Sequence, residues 1–276
     1  MSKKRLSWMS LIPQLFMMMI ALMAVYPFLF IVLNAFKSNE DFLTNKFGLP
    51  ASFNFDHFYH AWNSSRIDVY FMNTFLVVTI STLGCVLLSS LAGFAFSKLH
   101  FPFKRTLFLF SLSFLMIPFT VILTPFYHVI VQTGLINTYT GMILVYIAFN
   151  IPFGIYLMNQ YYKGIPYELI QAGYIDGANI WGIFTRIMLP LGLPAQITLA
   201  ILTFLAGWND LILSLLTLQN DRMRTLSVGI ATMSGEYMTS VPLVSAAMVI
   251  SVLPIIVIFI FLQKYLVAGV TLGAVK

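Results

Sequence analysis

Long apolar runs constrain this chain more than any other feature. Six runs are each long enough to cross a bilayer, which takes about 20 predominantly apolar residues. They cover residues 11–33, 71–96, 106–131, 139–161, 191–213 and 242–262. Only 9% of the 276 residues are charged, whereas soluble domains have about 25%. We therefore predict an all-α polytopic membrane protein with six transmembrane helices.

The first run follows Lys3, Lys4 and Arg5, so a secretory signal peptide is the competing interpretation. Run 11–33 is long for the apolar part of a signal peptide and shows no clear cleavage site, so we expect a retained helix. The polar and aromatic segment after it is expected to include a short helix at the bilayer surface. We divide the chain into residues 1–70, the N-terminal span and outer loop, and residues 71–276, the core domain.

Charge placement predicts the orientation of the spans. With the N-terminus inside, the cytoplasmic segments hold ten of the 15 Lys and Arg residues and two of the nine Asp and Glu residues. This is the positive-inside bias of membrane proteins. It predicts a bacterial-type plasma membrane protein with both termini in the cytoplasm. Because the basic residues flank apolar runs, we do not expect a nucleic-acid partner.

Residues 163–190 lie between the fourth and fifth runs and are too broken to span a membrane. Pro166 suits the first turn of a short helix, and Asp176-Gly177 is expected to end it. Asp176 is expected to cap a second helix, which Pro190 ends. That second helix has an apolar stripe of Ile180, Trp181, Phe184, Ile187 and Met188. The segment is therefore predicted to be a helical hairpin, on the cytoplasmic side by the charge count.

The order of residues in this hairpin resembles the EAA loop of ABC importer permeases. The family pattern is Glu-Ala-Ala, three residues, Gly, nine residues, Ile, one residue and Leu-Pro. The matching positions here are Gln171, Ala172, Gly173, Gly177, Ile187, Leu189 and Pro190. Gln171 departs from the family Glu, and Gly173 from the second Ala. A Gly at position 173 is expected to loosen the helix by about 1 kcal/mol relative to Ala.

The resemblance extends from about residue 73 to the C-terminus and is closest to the carbohydrate, maltose-type branch. It implies a coupling loop contacting an ATPase, with Glu168 and Asp176 joining the seven matched residues as coupling residues. The implied partners are a second permease subunit in a heterodimer, two ATPase subunits, an extracytoplasmic solute-binding protein and membrane lipid. The implied activity is import of a sugar or oligosaccharide, and a phosphorylated polyol or other small solute is the alternative.

The sequence contains no phosphate-binding loop of the G-x-x-x-x-G-K-[ST] type, so we do not expect this chain to hydrolyse ATP by that route. ATP and magnesium are expected to be used by the partner ATPase, with no cofactor or metal bound by this chain. A secondary transporter is the rival, but such proteins usually place ionisable residues at membrane depth. Here no charged residue falls in the middle of a predicted span, and Asp210 comes closest.

Five polar side chains in or near the spans are candidates for the solute path. Neutral sugars are bound through hydrogen bonds and aromatic faces, so amides and phenols are the residue types sought. The candidates are Asn73, Tyr146, Asn150, Tyr156 and Asn209. A packing or interfacial role is the competing interpretation for each of them.

Overall fold

The computed structural model describes the backbone of residues 8–236 and 240–274, and the side chains of residues 13–233 and 240–263. Within these ranges the chain is helical and has no strand. The long helices are α1 (Trp8–Ala35), α4 (Ile67–Lys98), α7 (Tyr139–Lys163), α11 (Leu193–Trp208) and α14 (Val241–Ala274). The basic residues Lys3, Lys4, Arg5 and Lys276, used to predict orientation, lie outside the described residues.

Shorter helices connect the long ones. Between α1 and α4 lie α2 (Asn39–Thr44) and α3 (Asp56–Asn63), and between α4 and α7 lie α5 (Lys104–Ser113) and α6 (Phe119–Gln132). After α7 come α8 (Glu168–Ile175), α9 (Ile180–Ile183), a π-helical turn (Phe184–Met188) and α10 (Leu189–Leu191). Between α11 and α14 lie α12 (Ile212–Thr217), a 3₁₀ turn (Asp221–Met223) and α13 (Leu226–Glu236).

Four helices are long and apolar enough to cross a membrane singly, namely Pro13–Ala35, Ile67–Lys98, Tyr139–Lys163 and Val241–Gln263. Two bent pairs raise the number to six if each pair is one span. The described residues thus confirm a multi-pass helical membrane protein with four to six spans.

The third predicted span is not one continuous helix. It divides into Lys104–Met116 and Phe119–Gln132, whose axes differ by 104°. The break falls at Ile117-Pro118, where Ile117 is extended at ψ 123°, as expected for a residue before proline. Pro125 lies inside α6 without ending it. Pro118 therefore lies at a sharp bend between two helices and not inside one continuous helix.

The fifth predicted span is also bent, by 72° between Ile180–Leu191 and Leu193–Trp208. We expected Pro190 to end the hairpin helix, and that was wrong. Leu189 keeps helical angles, φ −64° and ψ −48°, and its N–H bonds to the Phe184 carbonyl across the π turn. One extra residue in that turn lets the helix continue past the proline. The bend instead falls at Gly192.

Small residues allow α4 and α7 to pack closely. A Cβ on Gly93 would lie 2.5 Å from Met158 Cβ and 2.9 Å from the Asn159 backbone nitrogen. A Cβ on Gly154 would lie 2.1 Å from Ser89 Oγ. Only glycine at these two positions permits this approach of the two backbones.

The chain forms two compact units, residues 1–67 with 230–253 and residues 68–229 with 254–276. In the first unit, Phe36 contacts Phe53, Phe55 and Phe58 at ring-centroid distances of 5.1 to 5.5 Å. In the second unit, α4, α7 and α11 carry the hairpin described below. The division at residue 70 was drawn from linear order and stays a prediction.

Candidate functional site: the 163–190 hairpin

Two short helices joined by a four-residue turn form the hairpin. Gly177 adopts φ +77°, the left-handed conformation that the sequence predicts at this turn, and a Cβ there would meet no atom within 4 Å. Glycine is therefore required by the backbone angle and not by lack of space. Asn179, and not Asp176 as predicted, caps the second helix, because its side-chain oxygen accepts from the Gly182 N–H at 2.8 Å.

Gly173 is the contact point between the two arms. It is buried, and a Cβ there would lie 2.8 Å from Ile187 Cδ1 and 3.4 Å from Ile183 Cγ1. The departure from the family Ala therefore has a packing consequence that the sequence alone did not indicate. The missing methyl group lets the Ile187 side chain lie directly on α8.

The inner face of the hairpin belongs to the hydrophobic core of the membrane-spanning helices. One cluster of buried side chains joins both arms to three long helices. Its members are Phe94 on α4, Met158 and Tyr162 on α7, Ile170 on α8, Ile183, Phe184 and Met188 on the second arm, and Ala195 and Leu199 on α11. The hairpin and these three long helices therefore share one packed core.

The outer face of the hairpin is apolar and exposed. Ile175 is 86% exposed and Trp181 is 61% exposed. Leu169, Tyr174 and Ile180 also have between 42% and 49% of their surface exposed. The predicted stripe is thus divided: Trp181 and Ile180 face outward, whereas Phe184 and Met188 face the chain's own core. Helical periodicity identified apolar positions but not which partner each of them contacts.

The matched coupling positions are distributed between the two faces. Gly173 is buried, and Ile187 and Leu189 are partly buried. The remaining positions are exposed: Glu168, Gln171, Ala172, Asp176, Gly177 and Pro190. Gln171 and Ala172 lie on the same outer face as Ile175, which places polar and apolar groups side by side.

Polar side chains fix both ends of the hairpin to the spans. At the start, the Lys98 ammonium group at the end of α4 donates to the Ile165 carbonyl. At the end, Gln196 on α11 donates from Nε2 to the Leu189 carbonyl at 2.9 Å and to the Tyr162 hydroxyl at 3.3 Å. The sequence analysis missed this role of Gln196. The one feature of the sequence that could have indicated this role is the presence of a long amide side chain within an apolar run.

The candidate solute-path residues fall into separate groups. Asn73 donates from Nδ2 to the Arg222 and Arg224 carbonyls, each at 3.0 Å, and accepts from the Tyr139 hydroxyl at 2.7 Å. It therefore anchors the 3₁₀ turn between α12 and α13 to α4. Asn209 is exposed and bonds to the Leu205 carbonyl of its own helix.

Tyr146 and Asn150 lie together in a polar seam between α4, α7 and α11. Ser81, Thr82, Cys85 and Thr203 also line the seam, which has no room for a water molecule. The Tyr146 hydroxyl lies 3.0 Å from Asp210 Oδ2 and 2.8 Å from Ser214 Oγ, and Asn150 donates to the Tyr146 carbonyl. Tyr156, on the same helix, is 40% exposed and outside this seam. A solute path through the seam stays a prediction that requires these helices to separate.

A multi-pass helical membrane protein with a surface hairpin fixed to its spans is the class that this fold and site define. The chain belongs to the binding-protein-dependent transport system inner membrane component family, which it matches over residues 85–272.

Relatives of similar length share sequence along almost the whole chain. It is 36% identical to the probable ABC transporter permease protein YurM of Bacillus subtilis, over 95% of this chain and 86% of that protein. It is 34% identical to the arabinooligosaccharides transport system permease protein AraQ of Halalkalibacterium halodurans, over 98% of this chain and 97% of that protein. These relatives place the chain among ABC transporter permeases.

A solved structure shares the fold. It is the crystal structure of a bacterial ABC transporter involved in the import of the acidic polysaccharide alginate. The TM-score is 0.84 at 21% identity, covering 95% of this chain and 99% of that one. This chain therefore shares its fold with a chain of that transporter.

Proposed function

We propose that this chain is one of two permease subunits of an ABC importer for a sugar or oligosaccharide. The observation that carries the proposal is the two-faced hairpin. Its inner face shares a core with α4, α7 and α11, while its outer face exposes Ile175 and Trp181. A surface fixed on one side and apolar on the other suits transmission of movement from a soluble partner to the spans.

The proposed partner at this face is an ATPase subunit, which binds ATP and magnesium. Closure of two ATPase subunits would move the docked hairpin as a rigid body. Because Gln196 and Lys98 fix both of its ends, α4, α7 and α11 would follow. The proposed result is a solute path that alternates between inward-open and outward-open states.

The proposed topology has six spans, with each bent pair counted as one span. The hairpin and both chain termini then lie in the cytoplasm. This orientation rests on the excess of basic residues in the segments assigned to that side. A binding protein would deliver the solute on the opposite side, where Asn73 fixes the 3₁₀ turn.

A sugar is proposed as the solute because several relatives are named for one. They include an arabinooligosaccharides permease and the trehalose/maltose permease MalG of Thermococcus litoralis. The polar seam is consistent with an uncharged solute, since hydroxyl, phenol and amide side chains line it. A panel of oligosaccharides and polyol phosphates in an uptake assay distinguishes the two solute classes.

Affinity purification of the chain from its native membrane tests the coupling proposal. We expect an ATPase subunit to be recovered with the unaltered chain and to be lost with Ile175→Ser. Leu43→Ser is the matched control, because Leu43 is 71% exposed and lies in α2, far from the hairpin in sequence. Recovery of the ATPase with both variants, or with neither, would contradict docking at this face.

A further inference from the structure

A group of four cations lies where α4 ends, α5 begins and α7 ends. Lys98 is the last residue of α4, Lys104 and Arg105 are the first two residues of α5, and Lys163 is the last of α7. Two hydrogen bonds hold these segment ends close together, because Lys98 donates to the Ile165 carbonyl, just after α7, and Lys104 donates to the Leu99 carbonyl, just after α4, at 2.7 Å. We call these four residues the basic cluster.

The basic cluster carries net positive charge, which Glu168 offsets in part at Lys98. Lys104 lies within electrostatic range of both Lys163 and Lys98, so these ammonium groups repel one another. Glu168 acts on Lys98 from a distance, but in the described part of the chain none of the four cations forms an ion pair with a carboxylate. An anion bound here would relieve the repulsion.

The basic cluster borders an aromatic and apolar surface of α5. The Lys163 ammonium group lies 5.6 Å from the centre of the Phe108 ring, which contacts Phe96 at 5.5 Å. Phe103, immediately before α5, is 77% exposed. Further along α5, Leu107 and Phe110 are also exposed. A ligand with an anionic group and an apolar part would match both surfaces.

We propose that the basic cluster and the exposed face of α5 bind one anionic phospholipid. Lys104, Arg105 and Lys163 would bind its phosphate, and its acyl chains would lie along Leu107 and Phe110. Cations at span ends are expected from topology alone. The contact of Lys163 with the Phe108 ring and the exposed apolar residues beside it are not, and together they favour a lipid over free phosphate. Basic pockets between transmembrane helices are known to bind lipid head groups.

Native mass spectrometry of the complex purified with its partners tests the proposal. The unaltered complex is titrated with phosphatidylglycerol and, separately, with phosphatidylcholine. We expect preferential retention of phosphatidylglycerol that inorganic phosphate does not displace. Equal retention of the two lipids, or displacement by inorganic phosphate, would overturn the proposal without any variant being needed.

The double variant Arg105→Gln/Lys163→Gln is expected to bind phosphatidylglycerol roughly 30-fold more weakly, from about fivefold per cation near the surface. The matched control is Lys46→Gln/Arg222→Gln, since both of these residues are exposed and outside the basic cluster. Lys163→Arg should retain the lipid because it keeps the charge. Unchanged lipid binding by the double variant would overturn the proposal. If the double variant binds lipid as before but no longer recovers the ATPase, the basic cluster belongs to the contact with that partner. Lipid loss with the ATPase retained separates this site from the coupling face.

Discussion

The turn at Gly177 gives the most direct genetic test of the hairpin. Gly177 has φ +77°, and a Cβ there would meet no atom within 4 Å. The Cβ of Gly177→Val therefore meets no neighbouring atom, and the main cost is conformational. An L-residue in the left-handed region costs about 1–2 kcal/mol, and a β-branched residue lies at the upper end. This should lower the equilibrium constant for forming the native turn by roughly 5- to 30-fold.

Initial uptake of the solute in whole cells is the assay, with membrane insertion measured in parallel. Gly177→Val should lower uptake by a factor in that range while insertion stays normal. Gly177→Asn should retain most of the uptake, because Asn adopts the left-handed conformation at lower cost. If uptake by the Gly177 variants fell with side-chain size and not with the cost of the left-handed conformation, a steric clash would be the cause. That result would refute the reasoning.

The chain supplies a matched control for this substitution. Gly134 has φ +67° and also has no atom within 4 Å of a Cβ, but it lies between α6 and α7 and outside the hairpin. Gly134→Val imposes similar strain at a different site. Uptake by this variant should stay close to that of the unaltered chain. An equal loss of uptake would mean that both substitutions act through folding and not through coupling.

Three further predictions concern packing and hydrogen bonding. Gly173→Ala should keep ATPase recovery within about twofold of the unaltered chain, because the end of the Ile187 side chain can move away. Gly173→Val, which is larger, should abolish ATPase recovery. Gly93→Ala should lower the melting temperature of the purified complex far more than Gly173→Ala, because its Cβ would meet the backbone of α7; equal shifts would contradict the packing of α4 on α7. Tyr146→Phe should destabilise the complex by about 1 kcal/mol, because the partly buried hydrogen bond to Asp210 is lost while Ser214 still donates to that carboxylate, and an unchanged melting temperature would contradict that role.

The spans and the turn were accessible from the sequence because each rests on local chemistry. The apolar runs predicted α1, α4 and α7 within a few residues at each end. Gly177 predicted the left-handed turn because glycine alone adopts that conformation without strain. The family resemblance is confirmed over residues 85–272, whereas the coupling role of the hairpin residues stays a prediction.

The bends depend on context that hydropathy cannot report. Hydropathy is the same for a straight span and for one bent by 104° at Pro118. Pro190 shows the opposite outcome, because a π turn before it lets the helix continue to Leu191. The rule that proline ends a helix therefore holds at Pro118 and fails at Pro190.

The two faces of the hairpin also required the structure. Periodicity grouped Trp181 with Phe184, yet Trp181 is 61% exposed and Phe184 is 3% exposed. A helix packed against other helices on one side buries whichever apolar residues face them, and this direction is a tertiary property. Gly173 was similarly interpreted as a loss of helix stability, whereas its role is the contact with Ile187.

Site-specific photo-cross-linking tests the central claim most directly. A photo-reactive amino acid replaces Ile175, which is 86% exposed, or Ile170, which is 2% exposed on the same helix. After illumination in native membranes, position 175 should cross-link to an ATPase subunit, and position 170 should cross-link only within this chain. Cross-linking of the ATPase from position 170 alone, or from neither position while the ATPase still co-purifies, would contradict docking at the outer face of the hairpin.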